Sequence, residues 1–346
     1  IAEGILASGQ ADMCGMTRAM IADPLMPEKA GEGRLDDIRA CVACNQACIG
    51  HMLNGFPISC IQHPETGREL ELADRRPSPA PRAILIVGGG PAGLKAAAVA
   101  AERGHRVTLC EAGPVLGGQV NLAQLLPGRS EFGGVTTNLS HEVRQAGADI
   151  RLNTKVTPAL VDAMVPDAVI LATGAVPHMP SITLSEDAHI VSAWQVLEER
   201  VNVGSRIVIA DWRCDWIGLG LAEKLASEGC HVRLAVNGMM AGQSIPQYAR
   251  DKWLGDLHRL GVEILPHTRL FGADGDTAFF QHTLSGEPVI LEDVDTVVTA
   301  LGHSPSIELA DQLRDWVGEV HQIGDCLSPR TVEEAVLEGM RAGSIV

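Results

Sequence analysis

The chain has 346 residues, of which 46% are apolar and 20% charged, enough for two or three domains with buried cores. Lysine and arginine total 27 against 43 aspartates and glutamates, a formal charge of −16. That field repels phosphate backbones and anionic membrane surfaces, so nucleic acid is not an expected partner. No apolar run reaches the length that crosses a bilayer, and no basic n-region precedes an apolar h-region.

The sequence opens on Ile1, and "IAEGILASGQADMCGM" reads as the continuation of a pattern begun upstream. A preceding part that is processed away, separately encoded or simply outside this sequence is therefore expected. Residues 2–9 are helix-like, and 11–20 (ADMCGMTRAM) read as a short apolar strand.

Four cysteines follow within twenty residues, Cys41, Cys44, Cys48 and Cys60, spaced C-x2-C-x3-C-x11-C. They hold a metal centre, form disulfides, or sit buried as small apolar thiols. The other five, Cys14, Cys110, Cys214, Cys230 and Cys326, are scattered and do not make the framework of a small secreted domain. The chain thus points to a reducing compartment, the cytoplasm, and a disulfide reading has no support elsewhere in it. A structural zinc site pairs two short knuckles across a longer spacer. Three clustered thiolates and one distant one instead suit a [4Fe-4S] cubane, with zinc or metal-free thiols as the alternatives. His51 and His63 lie nearby as surface or supporting residues rather than ligands.

Residues 73–82 (ADRRPSPAPR) are rich in proline and charge and form a linker. After it, 83–90 (AILIVGGG) is a buried strand candidate, 91–104 an alanine-rich helix, and 105–113 a second strand, one βαβ unit. Its turn gives G-x-G-x-x-G as Gly88, Gly90 and Gly93, with Pro91 and Ala92 opening the helix and Glu111 ending the next strand. Gly88 permits the turn, Gly90 admits a pyrophosphate to the backbone, and Gly93 lets helix and strand approach. The helix N-terminus favours the phosphates, and Glu111 would accept ribose hydroxyls and disfavour a 2′-phosphate. Further strands are expected at 148–154, 167–174, 205–211, 231–236, 262–265 and 295–302, and helices at 218–229, 246–261 and 331–342. The alternation argues for α/β architecture with parallel sheets. Residues 205–236 repeat the strand–turn–helix–strand plan of 83–109, as two nucleotide-type domains would, one inserted into the other.

That second turn, "IADWRCDWIGLG" (209–220), carries Asp211, Trp212, Arg213, Cys214, Asp215 and Trp216 where glycines would admit a dinucleotide. The carboxylates place negative charge at the pyrophosphate position, and the indoles take up the space. The following strand ends in Asn237, with neither the acid that suits NAD nor an arginine that suits NADP. A Rossmann-like unit without NAD(P)H is expected here.

The run "VGGGPAGL…LGGQ" resembles the FAD domain of the glutathione-reductase-like flavoproteins, with "ATG" at 172–174 and "IGDC" at 323–326 as two further signatures. The resemblance implies that Gly118, Gln119, Thr173 and Gly174 line the flavin nucleotide site. It also implies that Gly324 and Asp325 close over the ribityl-pyrophosphate region. Some relatives carry only ADP, so FAD and ADP both stand. The cysteine run "RACVACNQACIG…SCIQHPETGRE" resembles the cluster segment of the iron–sulfur flavoproteins typified by 2,4-dienoyl-CoA reductase and trimethylamine dehydrogenase. Those proteins join an old-yellow-enzyme-like (β/α)8 barrel carrying FMN to the cluster and to FAD-like and NAD-like domains. Residues 1–40 resemble the last βα unit of that barrel, where Arg18 matches an FMN-phosphate contact and Gly15 a close-approach position.

The resemblance implies an α/β chain of four parts. These are a C-terminal barrel remnant (1–40), the cluster segment and linker (41–80), an FAD or ADP domain (81–195 and 290–346), and a degenerate NAD-like domain (196–289). It implies no catalytic side chain here, since those belong to absent barrel strands. The function most in keeping with the damaged second turn is oxidative demethylation of a small N-methylated amine or amino acid, such as dimethylglycine or an N-methylproline. Electrons would pass from FMN through the cluster to an acceptor such as electron-transferring flavoprotein. An NAD(P)H-dependent 2,4-dienoyl-CoA or enoate reductase is the alternative. A non-catalytic electron-transfer subunit, its barrel on a partner chain, is a third.

Overall fold

A computed structural model of the chain describes residues 1–72 and 76–346. Ala73, Asp74 and Arg75, at the start of the expected linker, lie outside the described residues. The elements that position the sites are, in chain order, β1 (Ala83–Val87), α1 (Pro91–Glu102), β2 (Arg106–Cys110), α2 (Gly134–Gln145), β3 (Asp149–Arg151), β4 (Ala168–Leu171) and β5 (Ile190–Ser192). They continue with β6 (Arg206–Asp211), α3 (Trp216–Ser227), β7 (His231–Val236), α4 (Gln247–Arg259), β8 (Glu263–Leu265), β9 (Thr296–Ala300), β10 (Glu319–Gln322) and α5 (Val332–Ile345).

Two five-stranded parallel sheets result, in the orders β10-β4-β1-β2-β3 and β8-β7-β6-β9-β5. Their central strands are buried on both faces, which is why they read as continuous apolar runs. Helix α1 is buried from Ala92 to Ala100 and packs between the first sheet, α2 and α5. The run 295–302 leaves the division drawn from the sequence: β9 pairs with β6 in the second sheet, from Thr296↔Ile207 to Ala300↔Asp211. An apolar run announces a buried strand without saying which sheet receives it; here the Asp295 carboxylate settles it by accepting from the Arg206 amide and guanidinium at the foot of β6. Residues 268–274, 277–282 and 288–291 form an antiparallel meander on the second unit that the sequence did not announce. The units are joined where 175–177 pairs antiparallel with 303–305.

Residues 1–40 differ from expectation. Three short helices, Ala2–Ala7, Arg18–Ala22 and Met26–Gly31, form there, and 11–20 makes no strand. A parallel strand is held by ladder partners, and among the described residues none is offered to this run. Nothing of a barrel sheet is therefore formed.

What fastens this segment is one face of α2. Asn138 donates to the Ala40 carbonyl at 3.1 Å and to Gln62 Oε1 at 2.7 Å, His141 meets Asp37 at 3.0 Å, and Glu142 meets Arg39 at 2.6 Å. Positions 138, 141, 142 and 145 share that face by helical periodicity. Glu142 also holds the fully buried Lys95 of α1 at 3.0 Å. Burial opposes the charge of Glu142, but Lys95 and Arg39 outweigh it and hold the carboxyl at about 2. Among the described residues no helix is long and apolar enough to cross a membrane.

Glu142→Gln removes the counter-charge that Lys95 and Arg39 share, and is expected to cost about 3 kcal/mol, read as a lower denaturant midpoint at pH 7. Because the folded carboxyl is depressed, the wild-type contribution is full above pH 4.5 and fades as pH falls toward 2. The variant should lose that dependence.

Candidate cofactor and metal sites

The first glycine turn is built by exclusion of side chains. Gly88 has φ 109°, and a Cβ there would lie 2.2 Å from the Ala172 carbonyl oxygen; one at Gly93 would lie 1.9 Å from the oxygen of Gly88. Both are fixed by the protein's own packing. Gly90 is different: it caps α1, and a Cβ on it would meet nothing within 4 Å. Open space beside a helix N-terminus, where the first amides lack intrahelical partners, suits an anion. Pro91 follows as the first helical residue and Ala92 is buried.

The other site residues in the first unit gather round this turn. Glu111 accepts from the Gly89 amide at 2.7 Å and the Gly113 amide at 2.6 Å. A Cβ on Gly118 would lie 3.3 Å from Gly90 Cα. Gln119 donates to Asp325 at 2.8 Å, and Asp325 also accepts from the Arg330 amide at 3.1 Å. Gly324 lies over Ala92, where a Cβ on it would come within 2.8 Å of that side chain, and its amide donates to Glu338 at 2.7 Å, a partner the sequence did not mark. Thr173 donates to the Ser306 carbonyl at 2.7 Å, and Gly174 accepts from the Ser306 amide at 3.0 Å, placing both at the crossing between units.

The cysteine loop curls on itself. Ala43 and Asn45 take left-handed conformations, φ 51° and 57°, and Gln46–Gly50 makes a single π turn. The Ser59 amide donates to the Ala47 carbonyl at 2.8 Å, which brings Cys60 back beside the turn. Cys41, Cys44, Cys48 and Cys60 then line one small cavity. All nine cysteines of the chain are free thiols. Burial, reinforced by the three neighbouring sulfurs, pushes the Cys44 thiol up to about 12, against the Gln46 amide that donates to it. Burial likewise raises Cys60, against the amides of Gln62 and His63. Thiols raised by burial, as Cys44 and Cys60 are, give up their protons when a cationic centre binds them. Among the described residues no three His, Cys, Asp or Glu side chains converge on a point where one ion could sit. His51 is turned to the Pro57 carbonyl and Glu333, and His63 to Thr66 and Ile21.

Arg18 and Gly15 stand apart from the glycine turn. Arg18 borders the cysteine cavity and donates to Asn45 Oδ1 at 2.5 Å, while Gly15 is exposed with nothing near its Cβ position.

The second turn keeps the plan of the first and fills it. Asp215 caps α3 as Gly90 caps α1, accepting from the Ile217 amide, and holds Arg213 at 2.7 Å. Asp211 does not face the phosphate position as a surface charge. It is fully buried, accepts from the amides of Arg213 and Cys214, and among the described residues leaves Oδ2 without a partner. A Cβ on Gly218, the third glycine of the motif, would lie 2.2 Å from that oxygen. Burial, then the Asp215 charge, push the Asp211 carboxyl up to about 8. The indoles flank the turn: Trp212 lies against His178 and under Arg269, and Trp216 against Trp253.

Two parallel-sheet units in succession, the first with an open glycine turn, place the chain in an oxidoreductase class. Residues 82–339 match the pyridine nucleotide-disulphide oxidoreductase family, and the chain belongs to it. Over 369 residues it is 35% identical to a metal reductase of Desulforamulus reducens, covering 97% of this chain and 54% of that protein. It is 31% identical to an N,N-dimethylglycine/sarcosine dehydrogenase of Chromohalobacter salexigens, covering 98% of this chain and 55% of that protein. Among solved structures, 2-naphthoyl-CoA reductase in complex with 2-naphthoyl-CoA aligns with a TM-score of 0.91 at 29% identity, covering 100% of this chain and 52% of that one. The chain thus spans about half the length of the relatives it matches.

Raised from 3.8 to about 8, the Asp211 carboxyl costs stability as pH climbs between those values, because the unfolded chain ionises where the folded one does not. Asp211→Asn is therefore expected to flatten the decline of the denaturant midpoint between pH 4 and 8 and to be the more stable protein at pH 8.

Proposed function

We propose that this chain is the electron-relay portion of an iron–sulfur flavoprotein that oxidatively demethylates a small N-methylated amine or amino acid. Cys41, Cys44, Cys48 and Cys60 would hold a [4Fe-4S] cluster. The turn from Gly88 to Gly93, with Glu111, Gly118, Gln119, Thr173, Gly174, Gly324 and Asp325, would hold FAD or ADP. Arg18 and Gly15 would face an FMN carried mainly by residues outside this sequence. These groups supply one- and two-electron transfer when bound. The chain's residues would bind and orient them: Glu111 is held in place by two backbone amides, and the amides at Gln46, Gln62 and His63 donate to the sulfurs that would ligate iron.

The observation that carries this reading is the filled second turn. Asp211 occupies the space beside Gly218, and the Asp215 carboxylate, paired with Arg213, stands at the helix start where a pyrophosphate would lie. NAD(P)H has no evident seat there, so electrons are taken to arrive from substrate and leave through the cluster to a protein acceptor such as electron-transferring flavoprotein. The 31% identity to the dimethylglycine/sarcosine dehydrogenase supports the substrate class. The metal reductase and the naphthoyl-CoA reductase support the other direction, an NAD(P)H-dependent reductase.

Anaerobic mixing of the holoprotein separates the two. Dimethylglycine, sarcosine or N-methylproline should bleach the flavin absorbance and release formaldehyde in a dye-coupled turnover. NADH and NADPH should leave the spectrum unchanged. Prompt bleaching by either nicotinamide would sink the proposal. At the first turn, Gly90→Ala is expected to leave the unfolding free energy within about 0.5–1 kcal/mol of wild type while dinucleotide content falls, because its methyl would enter the open space proposed for the ligand. Gly93→Ala should fail to fold.

A further inference from the structure

One arginine lies where the cysteine segment and the two nucleotide-type units meet. The Arg129 guanidinium carbon is 4.8 Å from the centre of the Phe132 ring and 4.2 Å from that of Trp216. Phe132 belongs to the core that Val42, Ala47 and the partly buried Cys44 share with the first unit, whereas Trp216 opens α3 in the second. The two rings fix the plane of the guanidinium and offset part of its desolvation. They do not neutralise it.

Arg129 Nε is buried and, among the described residues, has no hydrogen-bond partner. Burial works against its charge, and the acidic groups within its electrostatic reach are the Cys44 thiol and the Asp215 carboxyl. Asp215 is already engaged by Arg213 at 2.7 Å and by the start of α3. Arg39 offers a contrast: it reaches Cys60 electrostatically, but its charge is met by Glu142 at 2.6 Å. A half-buried cation that no carboxylate pairs with among the described residues is costly, and the remaining group in reach, the Cys44 sulfur, lines the cysteine cavity and would be negative as a metal-bound thiolate.

We propose that Arg129 is the counter-charge of the inorganic centre held by the four cysteines and raises its reduction potential. This rests on the preceding reading that those cysteines bind a [4Fe-4S] cubane. Four thiolates leave such a centre with net negative charge. Accepting one electron from a flavin adds one further negative charge, with no bond made or broken. A fixed cation in a poorly screened site favours that reduced state. Among the described residues Arg129 donates no hydrogen bond to a sulfur; it acts through its field.

The test uses the holoprotein in wild-type, Arg129→Met, Arg129→Gln and Arg129→Lys forms. Iron and acid-labile sulfide are measured first, followed by an anaerobic redox titration read by the electron paramagnetic resonance of the reduced cluster. The neutral variants should keep their iron and shift the midpoint negative by about 59 mV or more, a tenfold change in a one-electron equilibrium. Arg129→Lys should shift it less. An unchanged midpoint in a neutral variant that retains its iron overturns the proposal. Loss of iron from both neutral variants with retention in Arg129→Lys supports it, since charge then decides whether the centre is held. Loss from all three overturns it as a purely structural effect. A wild-type protein without iron and sulfide refutes the underlying cluster reading instead, a separate result.

Discussion

At the centre of the α2 face that holds the cysteine-bearing segment lies one carboxylate shared by two cations. Glu142 is gripped from below by Lys95, buried among the alanines of α1, and from the side by Arg39, two residues before the first cysteine. Breaking one partner of a buried ion pair costs far more than the pair contributes, so the arrangement is all or nothing. It places the cysteine cavity against α2, whose far face belongs to the same core as the glycine turn. The two candidate cofactor sites are thus built against one shared hydrophobic core.

The two glycine turns show how one backbone plan can be kept open or closed by side chains alone. Both run strand, turn, helix, and both retain the glycine where helix meets strand. In the first, that glycine faces a backbone oxygen and the cap position is bare. In the second, an aspartic acid fills the corresponding gap and another carboxylate sits at the cap. Burial makes the inner acid hold its proton, so it behaves as a small polar plug rather than as a repelling charge.

Much of this was legible in the sequence. The strands at 83–90, 205–211 and 231–236 announced themselves as apolar runs bounded by turn residues, and β1, β6 and β7 lie within them. The cysteine spacing pointed to one shared site, and the four side chains do line one cavity. Less legible was anything carried by contacts distant in sequence. The face of α2 meets residues about a hundred positions earlier, Glu338 meets Gly324 across a helix, and Arg129 is notable only for what surrounds it. The run 11–20 has the composition of a strand but no neighbours to pair with, and composition cannot report a missing partner. Asp211 was visible as an acid in the wrong place, yet its inward turn follows from the room left at Gly218, which only coordinates reveal.

The plug at Asp211 has an evolutionary corollary. Replacing it with glycine would empty the gap yet leave the Arg213 side chain in the turn and the Asp215 carboxylate at the cap. Restoring either of those alone would gain nothing while the inner acid stays. Clearing this turn therefore takes coordinated changes at more than one position, at 211 and at 213 or 215, and a single substitution would leave the helix start occupied.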